Sequence, residues 1–203
     1  MVREEESDAV LWLEAVSGTE RAFVVIFDRY RARIFRSAYR RLLDVSQAEE
    51  AVAIVFLEAW RLRRRVRIVD GSLLPWLLAV TARVTSNLSR SQRRYNRMLA
   101  QLPPSDQQED PFVHVDERID GEARRQAVAA AIMSLAPRDR AVVELCLLEE
   151  LPLAEAAAAL DLPLGTVKSR LHRARTQLRT KLEAPDISVQ SLAPNNPGER
   201  GLT

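Results

Sequence analysis

"LPLGTVKSRLHRARTQLRTKL", residues 162–182, carries six Lys and Arg and neither Asp nor Glu. Val167, Leu171, Ala174, Leu178 and Leu182 recur within it at helical spacing. The stretch therefore predicts an amphipathic helix whose apolar stripe packs inward. Lys168, Ser169, His172, Arg173 and Thr176 fall on the opposite and flanking faces. Just upstream, "PLAEAAAAL" (152–160) predicts a short helix and "DLPL" (161–164) a tight turn. A short helix, a turn and a long basic helix make a helix-turn-helix pattern. In that motif the N-terminal part of the second helix enters the DNA major groove. Thr166, Lys168, Ser169, Arg170, His172 and Arg173 are thus candidate DNA contacts. Lys168, Arg170 and Arg173 can reach base edges or phosphates, whereas Arg175, Arg179 and Lys181 suit phosphates or solvent. A merely solvated basic face is the plainer alternative, and the short helix before it and the absence of acids weigh against that. Asp161 stands where this turn often has glycine, and Asp tolerates left-handed backbone better than most residues.

The whole chain has 203 residues, 47% of them hydrophobic but only 5% aromatic. With abundant Ala, Leu and Arg, this composition points to an all-α fold of one medium or two small domains. The formal net charge is only +2, yet the charge is unevenly placed. Basic blocks lie at 29–41, 60–67 and 89–97, an acidic one at 105–122, and a basic one at the C-terminal helix. Two polyanion-contacting modules separated by an acidic connector account for that order. Cys146 is the single cysteine, so neither an internal disulfide nor a Cys-based zinc site is available. It reads as a small apolar core residue. No apolar run reaches the roughly 20 residues of a membrane span, and the acidic start is no signal peptide, so a soluble cytoplasmic protein is expected.

Helical periodicity continues upstream. "DAVLWLEAVS" (8–17) predicts a first helix, closed near Gly18. Residues 19–43 predict a longer one, with Ala22, Ile26, Tyr30, Ile34 and Ala38 on one face and Phe23, Phe27 and Phe35 widening it. "SQAEEAVAIVFLEAWRLRRR" (46–65) opens with Ser46 as a candidate N-cap and Glu49 three residues on, a capping-box pattern. "VDGS" (69–72) breaks the period, and residues 74–99 resume it, with Pro75 suited to a first helical turn. These helices predict a bundle over 1–98. Residues 99–121, with "LPP" and many polar residues, predict a flexible linker. Residues 122–183 predict the helix-turn-helix module, including a helix from Pro137 through "PRDRAVVELCLLEEL". Residues 184–203 hold too few apolar residues to pack and predict a disordered tail.

These residues carry a family resemblance. "LPLGTVKSRLHRARTQLR" resembles the promoter-reading helix-turn-helix of bacterial RNA polymerase sigma factors of the extracytoplasmic-function type (group IV), and residues 135–175 follow that family's region four almost without gaps. "AFVVIFDRYRARIFRSAYRRLLDVSQAEEAVAIVFLEAWR" is similar to region two, and "LPWLLAVTARVTSNLSRSQRRY" to its continuation. The resemblance spans about residues 9–182. It implies a four-helix region-two bundle and a region-four helix-turn-helix joined by a flexible linker. It implies core RNA polymerase and promoter DNA as partners, and an anti-sigma factor as regulator. Region four would read the minus-thirty-five element as duplex. Region two would bind the polymerase clamp and capture a flipped minus-ten base. By position, "VDGSLLPW" (69–76), with Asp70 and Trp76, matches the family's base-capturing loop. Arg64, Arg65 and Arg67 flank it, and Arg90, Arg93 and Arg94 suit backbone phosphates. A core tryptophan and solvated arginines are the open alternatives for Trp76 and for the last three. Glu49, Glu50, Phe56 and Trp60 match the polymerase-binding helix. There the family commonly has polar residues where this chain has Ala53 and Ile54, and Arg83 replaces a frequent Asn.

Two other functions fit parts of the pattern: an autonomous helix-turn-helix regulator, or a sigma-like decoy that binds an inhibitor but not polymerase. The first leaves the basic N-terminal bundle unused and lacks a heptad seam for dimerisation. An enzyme is not expected. His114 and His172 lie far apart in this layout. No glycine-rich phosphate loop, nucleophile motif or metal-spaced cluster appears, so neither cofactor, metal nor small-molecule substrate is expected.

Overall fold

The computed structural model describes residues 6–99 and 118–183. Helix α1 (Asp8–Val16) starts at Ser7, whose hydroxyl accepts from the Val10 N–H. Helix α2 (Glu20–Leu42) buries Ala22, Ile26, Ile34 and Ala38 on one stripe and closes on Leu43 in left-handed conformation, φ 54°. Helix α3 (Val45–Arg61) begins two residues earlier than the Ser46 capping box predicts: Asp44 is the cap, its carboxylate accepting from the Gln47 N–H at 2.8 Å. Asp44 holds an extended backbone and outcompetes the serine, because a carboxylate also favours the positive end of the helix dipole. Helix α4 (Leu74–Leu99) carries Pro75 in its first turn.

Helices α1–α4 enclose one core. Leu11, Ile26, Ile34, Leu73, Leu77 and Leu78 have essentially no solvent exposure. Phe23, Phe27 and Phe56 meet edge to face, with Phe27 and Phe56 centroids 4.7 Å apart, a geometry worth about 0.5–1.5 kcal/mol beyond area burial.

The second half contains α5 (Arg118–Met133), α6 (Pro137–Val143), α7 (Leu153–Leu160) and α8 (Leu164–Glu183). Helix α5 starts within the stretch expected as linker and accepts Gly121 in its body, at a cost of about 1 kcal/mol. Residues 100–117 and 184–203, on which the remaining linker and tail expectations fall, lie outside the described residues. Val167, Leu171 and Ala174 are buried as the α8 stripe predicts, but Leu182 is exposed because the helix has outrun its partners by then. Cys146 is half-buried between the two core clusters, and burial pushes its thiol pKa up although Arg175 pulls the other way. Arg140 is nearly buried: its guanidinium donates to the carbonyls of Ile132 (3.2 Å), Met133 and Leu135 (2.9 Å) at the end of α5 and to Ser86 Oγ of α4 (2.9 Å). That cation satisfies the orphan carbonyls of a helix C-terminus.

The helix expected from Pro137 to Leu151 does not run straight. After Val143 it widens into a π-helical turn, Glu144–Leu148, and the Glu149 N–H reaches back to the Glu144 carbonyl at 3.0 Å. In a regular α-helix, residues five apart point roughly 140° away from each other. The π turn stacks them instead, so Glu144 and Glu149 both face α2.

That turn joins the halves. Glu149 has no exposed side-chain area and faces Arg33 (2.9 Å), Arg40 (2.8 Å) and Arg41 (2.9 Å), while Ser37 Oγ donates to it at 2.7 Å. Leu145 and Ala156 also join the core of α1–α4. The halves thus pack directly on one another, an arrangement that linker composition does not reveal.

The two acids respond oppositely to their site. Burial raises the Glu149 pKa, but the Arg41 charge, hydrogen bonds from Ser37 and Arg41, and Arg40 outweigh it and hold the carboxyl below its ordinary 4.5. Burial dominates at Glu144 and holds it above 4.5 despite Arg41 and Arg140. Its nearest cationic atom, Arg41 Nε at 3.4 Å, is close enough for attraction but not aligned for a hydrogen bond.

Removing one partner of a buried ion cluster typically costs about 3–5 kcal/mol, so Glu149→Gln is expected to destabilise by that order at pH 7 in urea unfolding. Its deficit should vanish as the pH falls through the lowered folded-state value, where wild-type Glu149 is neutral too. Glu144→Gln should instead be more stable than wild type at pH 7, with the advantage fading as the pH falls to 4.5.

Candidate nucleic-acid interface

The helix-turn-helix is formed by α7 and α8. Helix α7 closes on Asp161 in left-handed conformation (φ 56°, ψ 49°), the role that its short polar side chain permits. Pro163 and Leu164 then start α8. Lys168, Ser169 and His172 are exposed on its outer side, Thr166 and Arg170 are half-buried, and Ser169 Oγ donates to the Thr166 carbonyl at 3.0 Å. Arg173 is exposed, but its fork is engaged: Nη2 and Nε donate to Asp139 of α6 at 2.9 and 3.2 Å. The Asp139 hydrogen bond raises the Arg173 pKa.

In the N-terminal half, Val69 and Ser72 exchange backbone hydrogen bonds of 2.9 Å around Asp70 (φ 48°) and Gly71 (φ 78°). Both central residues are left-handed, which makes this a type I′ turn, and Asp-Gly is the pair that such a turn favours. Its stem residues Val69 and Leu73 are buried, and its tip, Asp70 and Gly71, is exposed. Arg64 and Arg65 stand in solvent beside it. Arg63 lies over the Trp60 ring, 4.8 Å from its centroid, and its carbonyl accepts from Trp12 Nε1 at 3.1 Å. Arg67 reaches across to the turn of the helix-turn-helix, where Nη1 meets Asp161 at 2.7 Å. Arg90, Arg93 and Arg94 project from the exposed second half of α4.

Two expected contact residues sit elsewhere. Trp76 is only 8% exposed and packs into the bundle core, so it backs the groove and offers no free ring face for stacking. Phe56 is buried among aromatic rings and shapes α3 from within. The solvent face of α3 carries Val45, Glu49, Ala53 and Leu57, four residues apart in turn, with Glu50 beside them and Trp60 half-buried at the end. Leu57 is 65% exposed and Val45 55%. Their spacing was readable, but an exposed leucine on an amphipathic helix passes for core until the burial is known. The Arg83 substitution has a local reason: Nη2 meets Glu58 of α3 at 3.2 Å, and Glu58 also takes Arg61 in a two-pronged pair at 2.8 and 2.9 Å. Hydrogen bonding from Arg61 lowers the Glu58 pKa.

The halves enclose a cleft of about 710 Å³. Arg65, Arg83 and Arg90 line it from one side, Arg138, Arg140 and Arg170 from the other, over an apolar floor that includes Trp76. Candidate residues from both modules therefore face one another. No grouping of His, Cys, Asp and Glu suited to a metal occurs among the described residues, and no described helix is long and apolar enough to cross a membrane.

A helical bundle with a cationic turn and an all-helical module built on a helix-turn-helix define a two-module nucleic-acid-binding protein. Residues 26–95 match the model of sigma-70 region 2 and residues 125–178 that of sigma-70 region 4. The ECF RNA polymerase sigma factor SigK of Mycolicibacterium vanbaalenii is 33% identical over 181 residues, covering 86% of this chain and 88% of its own. SigK of Mycobacterium tuberculosis is 28% identical over 178 residues, covering 87% and 95%. Among solved structures, CnrH in complex with the cytosolic domain of CnrY superposes with a TM-score of 0.58 at 22% identity, covering 88% of this chain and 99% of that one. The chain belongs to the ECF RNA polymerase sigma factors.

If Arg90, Arg93 and Arg94 each hold one single-strand phosphate, replacing all three with Ala should flatten log affinity against log salt by about 2, roughly 0.7 per contact. Fluorescence anisotropy of a labelled single strand bound to the holoenzyme measures that slope, and an unchanged slope places these arginines in solvent.

Proposed function

We infer that the two cationic faces serve separate promoter elements and that α3 docks on core RNA polymerase. The protein is an ECF sigma factor, so it confers promoter selectivity on the polymerase and starts transcription. Region four, with Thr166, Lys168, Ser169, Arg170, His172 and Arg173, reads the minus-thirty-five duplex. The turn around Asp70, with Arg64, Arg65 and Arg67, takes a flipped minus-ten base, and Arg90, Arg93 and Arg94 follow the backbone. Unstacking a base costs a few kcal/mol, which a preformed turn and a cationic groove can offset.

The observation that carries the α3 assignment is its solvent face: Val45, Ala53 and Leu57 make an apolar row with Glu49 and Glu50 alongside. An exposed apolar row rimmed by charge is a docking surface. Ala53 belongs to that row, so its loss of polarity relative to the family fits an apolar contact.

In the closed arrangement Arg67 is tied to Asp161, and Arg170 shares a cleft with Arg65 and Arg90. Elements about 25 base pairs apart are separated by about 85 Å of duplex at 3.4 Å per pair. The two faces must part to hold both. Glu149 and its arginines are then the contact given up, compensated by polymerase and promoter binding. An anti-sigma factor is the regulatory partner of this reading, and the arginine-rimmed apolar cleft suits an acidic amphipathic segment.

Gel filtration with bacterial core polymerase tests the polymerase assignment: the wild-type chain co-elutes, and Leu57→Glu, an exposed change that leaves the core intact, loses co-elution by tenfold or more in affinity, about 1.4 kcal/mol. Retained binding would move the docking surface off α3. On minus-thirty-five duplex, Arg173→Ala should lose about 1–3 kcal/mol on the preferred sequence only if it reads a base, and equally on all sequences if it holds a phosphate.

A further inference from the structure

Asp8, the first residue of α1, is 3% exposed, yet it lies far along the chain from what it binds. Its Oδ2 accepts from the Leu73 N–H at 2.6 Å, from Ser72 Oγ at 3.4 Å and from the Tyr30 hydroxyl. Its Oδ1 takes Arg29 Nη1 at 2.6 Å, and Arg29 Nη2 also donates to the Glu6 carbonyl at 3.0 Å. Ser72 Oγ in turn accepts from the Leu74 N–H at 3.1 Å and lies 3.3 Å from the Tyr30 hydroxyl.

Ser72 and Leu73 close the type I′ turn and open α4; the Leu73 carbonyl already accepts from the Leu77 N–H. Asp8 therefore supplies, from a distant helix, the carboxylate that a capping box would supply locally, at the positive end of α4. A buried carboxylate in this position holds its donors firmly, because leaving any of them unpaired carries a desolvation penalty. Burial and the Asp8 hydrogen bond push the Tyr30 phenol up to about 12, so it remains a donor throughout the working pH range.

We propose that Asp8 is a positioning residue for base capture: it fastens the 72–73 end of the turn to α2 and α4, so that the exposed Asp70–Gly71 tip is held in place before DNA arrives. The inference rests on the reading of this turn as the base-capturing element. Asp8 reaches both Ser72 and Leu73 from the start of α1.

The test uses the full chain on core polymerase and a fork DNA cut from a promoter that the wild-type holoenzyme transcribes. Each non-template base of the minus-ten element is replaced in turn by an abasic site. Wild type should lose about tenfold or more in affinity at one position, the flipped base. Asp8→Asn keeps the shape but presents an amide to donors that need an acceptor. It should bind the intact fork about tenfold more weakly and show a penalty below about twofold at the same position. Co-elution with polymerase and binding to minus-thirty-five duplex should stay unchanged. A purely structural defect lowers intact and abasic forks by the same factor, and that result would overturn the proposal. If Asp8→Asn fails to fold by circular dichroism, Tyr30→Phe decides: an intermediate penalty supports the proposal, and the full wild-type penalty overturns it. A wild-type chain with no penalised base would sink the reading of the turn together with the inference, whereas a penalty kept by the variants sinks the inference alone.

Discussion

The carboxylate of Glu149, sealed from solvent among Arg33, Arg40 and Arg41, is the contact on which the observed arrangement depends. Arginine cannot shed its charge in a protein, so every buried guanidinium demands an acceptor. This chain spends its few buried acids on that demand. Glu149 gathers the arginines of α2, Asp8 holds Arg29, and Arg140 is satisfied by carbonyls at the end of α5. The arginines that remain in solvent lie on α8, beside the turn and along the end of α4, where the proposed function places nucleic acid. The near-neutral total thus hides a sorting by depth: buried cations are paired and build the fold, and the exposed ones, some tied to acids such as Asp139 and Asp161, face outward.

The sorting explains what could be read without coordinates. The α8 stripe of Val167, Leu171 and Ala174, the α2 stripe from Ala22 to Ala38, Pro137 at a helix start and the left-handed Asp161 all follow from local periodicity and backbone preference. The Asp-Gly pair signals its turn type for the same reason. Local rules failed where two good candidates competed, as with Asp44 and Ser46, and where tertiary contact redirected a local pattern. Nothing in "VVELCLLEEL" announces a π turn, which brings two acids five residues apart onto one arginine-bearing face. For Trp76 position in the sequence leaves a core place and a contact role both open, and for Phe56 it suggests contact, yet aromatic side chains on the seam between helices are taken by the core first. The partner of Arg83 was equally hidden, since Glu58 sits in another helix.

Family membership sets what such a protein does, and the contacts peculiar to this chain set how it does it. The apolar row on α3 and the cationic cleft are surfaces that make sense only in an assembly. Under the proposed function, the DNA-facing residues that meet across the cleft become available when a larger assembly draws the halves apart. Ion pairs are well suited to that exchange. Much of the solvation lost by Glu149 and its arginines is recovered when they return to water, which offsets part of the cost of parting the halves, a step that also uncovers Leu145 and Ala156.

The widened turn after Val143 has a consequence for inheritance. It contains one residue more than a regular helix would need to cover the same span. Deleting any residue between 144 and 149 would let the segment tighten into ordinary helix and swing the second acid to another side. Under the proposed function, a single lost codon would loosen the closed arrangement without changing any residue assigned to the promoter.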